Sequence, residues 1–108
     1  MNGITTRLAG VTVEGAQENI KKFGCKDIGS FALVREPDNE HDPNAIRVAL
    51  LGVIYMGYVL RDIAKDLAPR IDAGRNFIAQ FVSRNEHPFH DTLGLTVKIV
   101  EYHCQLAA

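Results

Sequence analysis

The sequence is poor in cysteine, carries no excess of either charge, and has no long apolar run. Only Cys25 and Cys104 occur in 108 residues, far apart and without C-x-x-C spacing, which argues against a zinc knuckle or a dithiol redox motif. Each is read as a buried, reduced thiol. The formal net charge is −1, whereas a protein that coats duplex DNA is usually strongly basic, so any role with nucleic acid has to rest on a local patch. No stretch approaches the about 18 consecutive apolar residues that a membrane span needs. The start, MNGITTRLAG, lacks the charged-then-apolar pattern of a signal peptide. The cytoplasm is therefore the expected compartment, with no membrane association. No Walker motif, nucleophile elbow or catalytic triad is present to supply an enzyme.

What is there is one domain's worth of chain, residues 1–108, with 46% hydrophobic residues to build a core. Residues 4–14, ITTRLAGVTVE, are rich in β-branched side chains and read as a first strand closed by Gly15. AQENIKKF puts Ile20 and Phe23 on one helical face, with Gly24 where a left-handed C-terminal residue would stand. Residues 30–35 and 45–51 read as two strands, and Gly52 allows a tight reversal into a further strand, VIYMGYV. Gly57 interrupts that strand where a bulge or a close backbone approach is the usual reason.

A second helix follows in RDIAKDLAPRIDAG, where Ile63, Leu67 and Ile71 recur every four residues and Pro69 is expected to end or kink it. Residues 76–83 and 93–102 supply two more strands around a loop, RNEHPFHDT. Six short strands and two helices without βαβ alternation predict a mainly β fold, an antiparallel barrel or curled sheet.

The segment EPDNEHDPNAIRV, residues 36–48, crowds turn formers and side-chain oxygens before a strand. Asp42-Pro43-Asn44 has the chemistry of a type I turn, with Asp accepting backbone hydrogen bonds and Pro presetting φ. Asn39 and Asn44 suit side-chain to backbone bonds that hold the loop. A two-residue turn would join two strands with less, so the loop's length asks for a further explanation.

The order VREPDNEHDPNAIRV followed by MGYVLRDIAKDLAPRIDAG resembles the HIRAN domain family, most strongly over residues 34–74. The resemblance implies an OB-like six-stranded antiparallel β-barrel that captures the 3′ end of single-stranded DNA, linked to DNA repair and replication-fork processing. It further implies that His41 and Asp42 line an end-binding pocket, with Asp42 accepting a hydrogen bond from the terminal 3′-hydroxyl. On the same resemblance Tyr58 meets a base, Arg61 a phosphate, and Phe89 stacks on a further base. Arg7 and His41 stand where the family carries aromatic residues. Arginine can both stack on a base and bind phosphate, which keeps Arg7 among the candidate contacts.

The chemistry of these residues is consistent with such roles. A carboxylate placed where a strand ends repels a terminal phosphate and accepts a hydroxyl proton. A guanidinium near a helix start suits an anion, and an exposed aromatic offers a stacking platform worth ~1–3 kcal/mol per base. Two other classes compete. Asp38, Glu40, His41 and Asp42 in one loop, with His87, His90 and Asp91 in another, would suit a metal-dependent hydrolase, although neither loop has recognisable ligand spacing. Alternatively the domain is a protein-interaction module that recruits a helicase or nuclease in trans. The reading adopted is a non-catalytic nucleic-acid-binding module that uses no cofactor.

Overall fold

The computed structural model describes residues 3–13 and 15–103; Cys104 and Glu14 lie outside them. The described residues form β1 (Ile4–Arg7), α1 (Ala16–Phe23), β2 (Ser30–Arg35), β3 (Ile46–Leu50), β4 (Ile54–Tyr58), α2 (Arg61–Asp72), β5 (Asn76–His87) and β6 (His90–Tyr102). The strands make one antiparallel sheet in the order β1-β6-β5-β2-β3-β4. It curls into a half-barrel, and an antiparallel bridge from Ala9 to Tyr58 draws the two ends of the sheet together. The fold is thus mainly β with two short helices, as the strand count implied.

Phe31, Ile46, Val48, Met56, Leu95, Val97 and Ile99 fill the concave side of the sheet and are fully buried. Ile20 of α1 and Leu67 of α2 join them, each almost inaccessible, so both helices bury the stripe their periodicity requires. Side chains then fix how α1 sits. Gln17 donates to the carbonyls of Val11 (2.6 Å) and Leu93 (2.9 Å) and accepts from the Leu93 amide, while Asn19 donates to the Tyr55 carbonyl at 2.8 Å.

Cys25 is a free thiol but half-buried rather than buried, and four further local expectations change. The first strand stops at Arg7 instead of running to residue 14, because Ala9 leaves β6 to pair with Tyr58 and a turn follows at residues 11–12. The loop expected at residues 84–92 is instead the continuation of a long hairpin, β5 pairing with β6 as far as His87 and His90. Register shifts between Phe81 and Ser83 and between Asn85 and His87 absorb the irregular sequence, and Asn85 donates across the strands to Thr96 at 2.7 Å. Pro69 does not end α2, which continues to Asp72. Leu67 and Ala68 are buried beside Pro69 while Pro69 itself is exposed, and Asp72 is gripped by Arg35 through two bonds of 2.9 and 3.1 Å. Gly24 is not left-handed; its φ is −78°. Glycine is required there for space, since a Cβ would lie 2.6 Å from the Ile20 carbonyl oxygen.

Gly57 shows both features that its place in a strand implied. The β3–β4 register shifts beside it, and the chain just after β1 passes so close that a Cβ would meet the Ala9 carbonyl oxygen at 2.8 Å. Gly57→Ala should therefore push apart the bridge that closes the sheet, at about 1–3 kcal/mol, the usual range for overpacking a tight site. The check is a urea titration, in which the midpoint should fall with little change of slope.

Candidate nucleic-acid interface

The loop between β2 and β3 is built around side-chain acceptors serving its own backbone. Asn39 Oδ1 accepts from the amides of His41 (2.9 Å) and Asp42 (3.1 Å). Asp42 Oδ1 accepts from the Asn44 amide at 2.9 Å, and the Asp42 carbonyl from the Ala45 amide at 3.0 Å. The two turns succeed one another, so the loop follows a defined path although much of it is exposed. Asn39 has the holding role its residue type suggested, while Asn44 contributes through its backbone.

Tyr58 and Arg61 reach this loop from the next elements. Tyr58 ends β4, and Arg61 is the first residue of α2. One guanidinium nitrogen of Arg61 donates to the His41 carbonyl at 2.7 Å, and Arg61 Nε lies 3.6 Å from Asp42 Oδ2. Asp42 is mostly covered, whereas the Arg61 side chain is 73% exposed, so the pair is a loose leash. It is worth little as a stabilising interaction in water, but it holds a carboxylate and a guanidinium side by side. Beside them lies a pocket of about 250 Å³ lined by Ala9, Asn39, His41, Asp42, Ala45, Tyr58, Val59 and Arg61. That is below the roughly 300–1,000 Å³ of sites for drug-sized ligands and suits a single sugar or base. Its base is apolar, and its rim offers an anionic acceptor beside a cationic donor.

Glu36 ties the loop to the platform. Its Oε1 accepts from Tyr58 Oη at 2.7 Å and from Asn39 Nδ2 at 2.9 Å, and its Oε2 from Arg47 Nε at 2.7 Å. Burial pushes the Glu36 carboxyl up, but the bonds from Asn39 and Tyr58 and the Arg47 charge outweigh this and hold it below its ordinary value. Burial, followed by the bond to Glu36, raises the Tyr58 phenol, so Tyr58 stays a neutral donor.

The sequence profile of the HIRAN domain family matches residues 7–101. The chain belongs to the HIRAN domain family. This is a family of nucleic-acid-binding modules related to human HLTF. Two solved structures share the fold. The crystal structure of the HIRAN domain of human HLTF is 18% identical, with a TM-score of 0.67 over 93% of this chain and 74% of that one. A crystal structure of a protein from Lactobacillus plantarum is 21% identical, with a TM-score of 0.66 over 93% of this chain and 95% of that one. No curated protein matches the sequence.

On this HIRAN scaffold four of the six candidate contacts, His41, Asp42, Tyr58 and Arg61, converge on the small pocket. Arg7 does not join them. It stands exposed at the end of β1, on a neighbouring groove of about 450 Å³ with Leu8, Leu60, His87 and His90. Phe89 lines neither cavity; it sits at the β5–β6 tip, 85% exposed, its ring centroid 5.9 Å from that of His87. Among the described residues, no three His, Cys, Asp or Glu side chains come together so as to hold a metal ion; the acidic loop and the histidine-bearing hairpin stay separate.

Glu36 is the residue that reading the sequence overlooked. Its signal was the alternation of β2, which sends Arg35 towards α2 and Glu36 towards Arg47 and Tyr58, but that alternation points nowhere until the strand register is known. A carboxyl with a lowered folded pKa stabilises the fold above its unfolded value, near the ordinary 4.5, and loses that contribution as pH falls through the lowered value. Thermal melts of the wild type should therefore weaken below about pH 4.5, and Glu36→Gln should flatten that part of the acid limb. Equal acid sensitivity in the two proteins would show that Glu36 does not carry the effect.

Proposed function

We propose that this HIRAN domain binds single-stranded DNA at a free 3′-hydroxyl end, without catalysing a reaction itself. The observation that carries this reading is the pairing of Asp42 with Arg61 at the rim of a pocket sized for one sugar or base. A strand terminus has the complementary chemistry: a hydroxyl that donates, with a phosphodiester one nucleotide back that accepts. Asp42 Oδ1 is occupied by the Asn44 amide, which leaves Oδ2, 3.6 Å from Arg61 Nε, to accept from a ligand. Arg61 uses one nitrogen on the His41 carbonyl, and its planar fork has further donors for a phosphate. Tyr58 offers a ring whose hydroxyl is already engaged, so it meets a base by stacking rather than through its oxygen. A terminal phosphate would bring its charge against Asp42, and this repulsion supplies the discrimination.

Arg7 and Phe89 then act farther along the strand, Arg7 on the adjacent groove and Phe89 as an exposed ring at the hairpin tip. A helicase or nuclease acting in trans would use the end that the domain holds, and the cytoplasm is the proposed compartment.

Fluorescence anisotropy with labelled single strands ending in 3′-hydroxyl or 3′-phosphate, and with blunt duplex, tests the reading. The hydroxyl-ended strand should bind best, and its affinity should fall with added salt as phosphate contacts require. Asp42→Asn keeps an acceptor for the Asn44 amide while removing the charge, so the preference for hydroxyl over phosphate should shrink by about tenfold, the weight of one charge-assisted hydrogen bond. Equal binding of all three ligands by the wild type would defeat the proposal.

A further inference from the structure

The geometry points to Glu36 as the positioning residue that sets end specificity, acting through Asn39 on one side and Tyr58 on the other. The inference rests on the pocket's proposed role as a strand-end site. It follows from a connected run of hydrogen bonds. Tyr58 Oη and Asn39 Nδ2 both donate to a single oxygen, Glu36 Oε1. The far end of the same Asn39 amide accepts from the amides of His41 and Asp42. The ring proposed to meet a base and the backbone that carries the proposed hydroxyl acceptor are thus joined through two side chains. The second carboxylate oxygen is held by Arg47, so the Glu36 side chain cannot turn without breaking bonds on both sides.

Glu36 is not a lining residue of the pocket, and its carboxylate is fully committed to protein donors. Its effect on a ligand is therefore indirect: it holds Asp42 and the Tyr58 ring at a fixed separation. Discrimination between a hydroxyl and a phosphate depends on such placement, because shifts of about an ångström can cost orders of magnitude in recognition or rate. A neutral amide at position 36 has one acceptor oxygen where three donors compete, so Glu36→Gln must release at least one of Tyr58, Asn39 and Arg47.

The test compares the ratio of 3′-hydroxyl to 3′-phosphate affinity in wild type and Glu36→Gln, at one salt concentration. The ratio should fall by roughly tenfold, while the salt dependence stays the same because Arg61 is untouched. An ultraviolet titration of tyrosinate supplies a readout without ligand: losing the carboxylate should bring the Tyr58 ionisation down towards its ordinary value. If Glu36→Gln does not fold, Asn39→Ala cuts the run at its next joint and leaves the Glu36–Arg47 pair in place, with the same loss of ratio expected. An unchanged ratio in the folded variant, with a wild type that does discriminate, overturns the role of Glu36 alone. A wild type with no end preference overturns the pocket's proposed function and this inference with it.

Discussion

Two backbone hydrogen bonds hold the pocket open in its present shape. The amide of Ala9 donates to the Tyr58 carbonyl and the amide of Tyr58 to the Ala9 carbonyl, both at 2.8 Å. With both backbone groups of Tyr58 turned towards Ala9, none is left for β3, and Arg47 opposite Tyr58 becomes the close, non-hydrogen-bonded kind of cross-strand pair. Their side chains then meet over Glu36. The same bridge brings Ala9 under the loop as part of the pocket floor. It can form only because position 57 has no Cβ, and it ends β1 at Arg7 by taking Ala9 away from β6. A closure made of backbone depends little on side-chain identity beyond the glycine, which fits a fold kept at 18% and 21% identity in the two solved structures.

The length of the loop between β2 and β3 follows from what it has to satisfy. A chain that leaves a strand, turns twice and re-enters the next strand exposes several amides with no sheet partner. Asn39 and Asp42 supply acceptors for three of them, and Arg35 caps the returning chain by donating to the Ala45 carbonyl at 2.9 Å. The side-chain oxygen of Asn39 and one oxygen of Asp42 are engaged inside the loop, while Asp42 Oδ2 and Arg61 stand at the pocket together with His41. The loop is structural along most of its length and available to a ligand at its end.

Where periodicity and burial act locally, the sequence was legible. The helix over Ala16–Phe23, the apolar stripe of α2 and the strands from Ser30 to Tyr58 all follow from spacing that a single element imposes. Residues 8–13 and 84–92 misled because their state is decided by partners distant in sequence. Ala9 is claimed by Tyr58, and the polar arm around Asn85 is kept straight by pairing with β6 and by the bond to Thr96. Pro69 does not end its helix for a related reason, since a local break is overridden when the residues around it are buried and the helix end is tied by an ion pair. In the candidate site, residues within one loop or at the head of one helix could be named in advance. Glu36 could not, because its partners lie on two other strands and one loop, and only the register brings them together.

A chain of net charge −1 has little long-range attraction to offer a polyanion, so recognition has to come from short-range fit. The layout answers to that constraint. The cation at the rim is partly offset by the carboxylate beside it, which lowers the gain from binding any passing phosphate and, on the proposed reading, raises the relative weight of the hydroxyl contact. The small pocket and the larger groove share their boundary: Leu8 and Leu60 line the groove, and the next residues, Ala9 and Arg61, line the pocket. On the proposed reading, a ligand seated in the pocket would continue towards this groove and Arg7. A small molecule would use only the pocket, whereas a polymer that ends in the pocket and runs on can use both, and its continuing phosphates would meet a basic side chain that the pocket does not contain. The separation of Arg7 from the other candidates is compatible with the proposed binding of a strand end longer than one nucleotide.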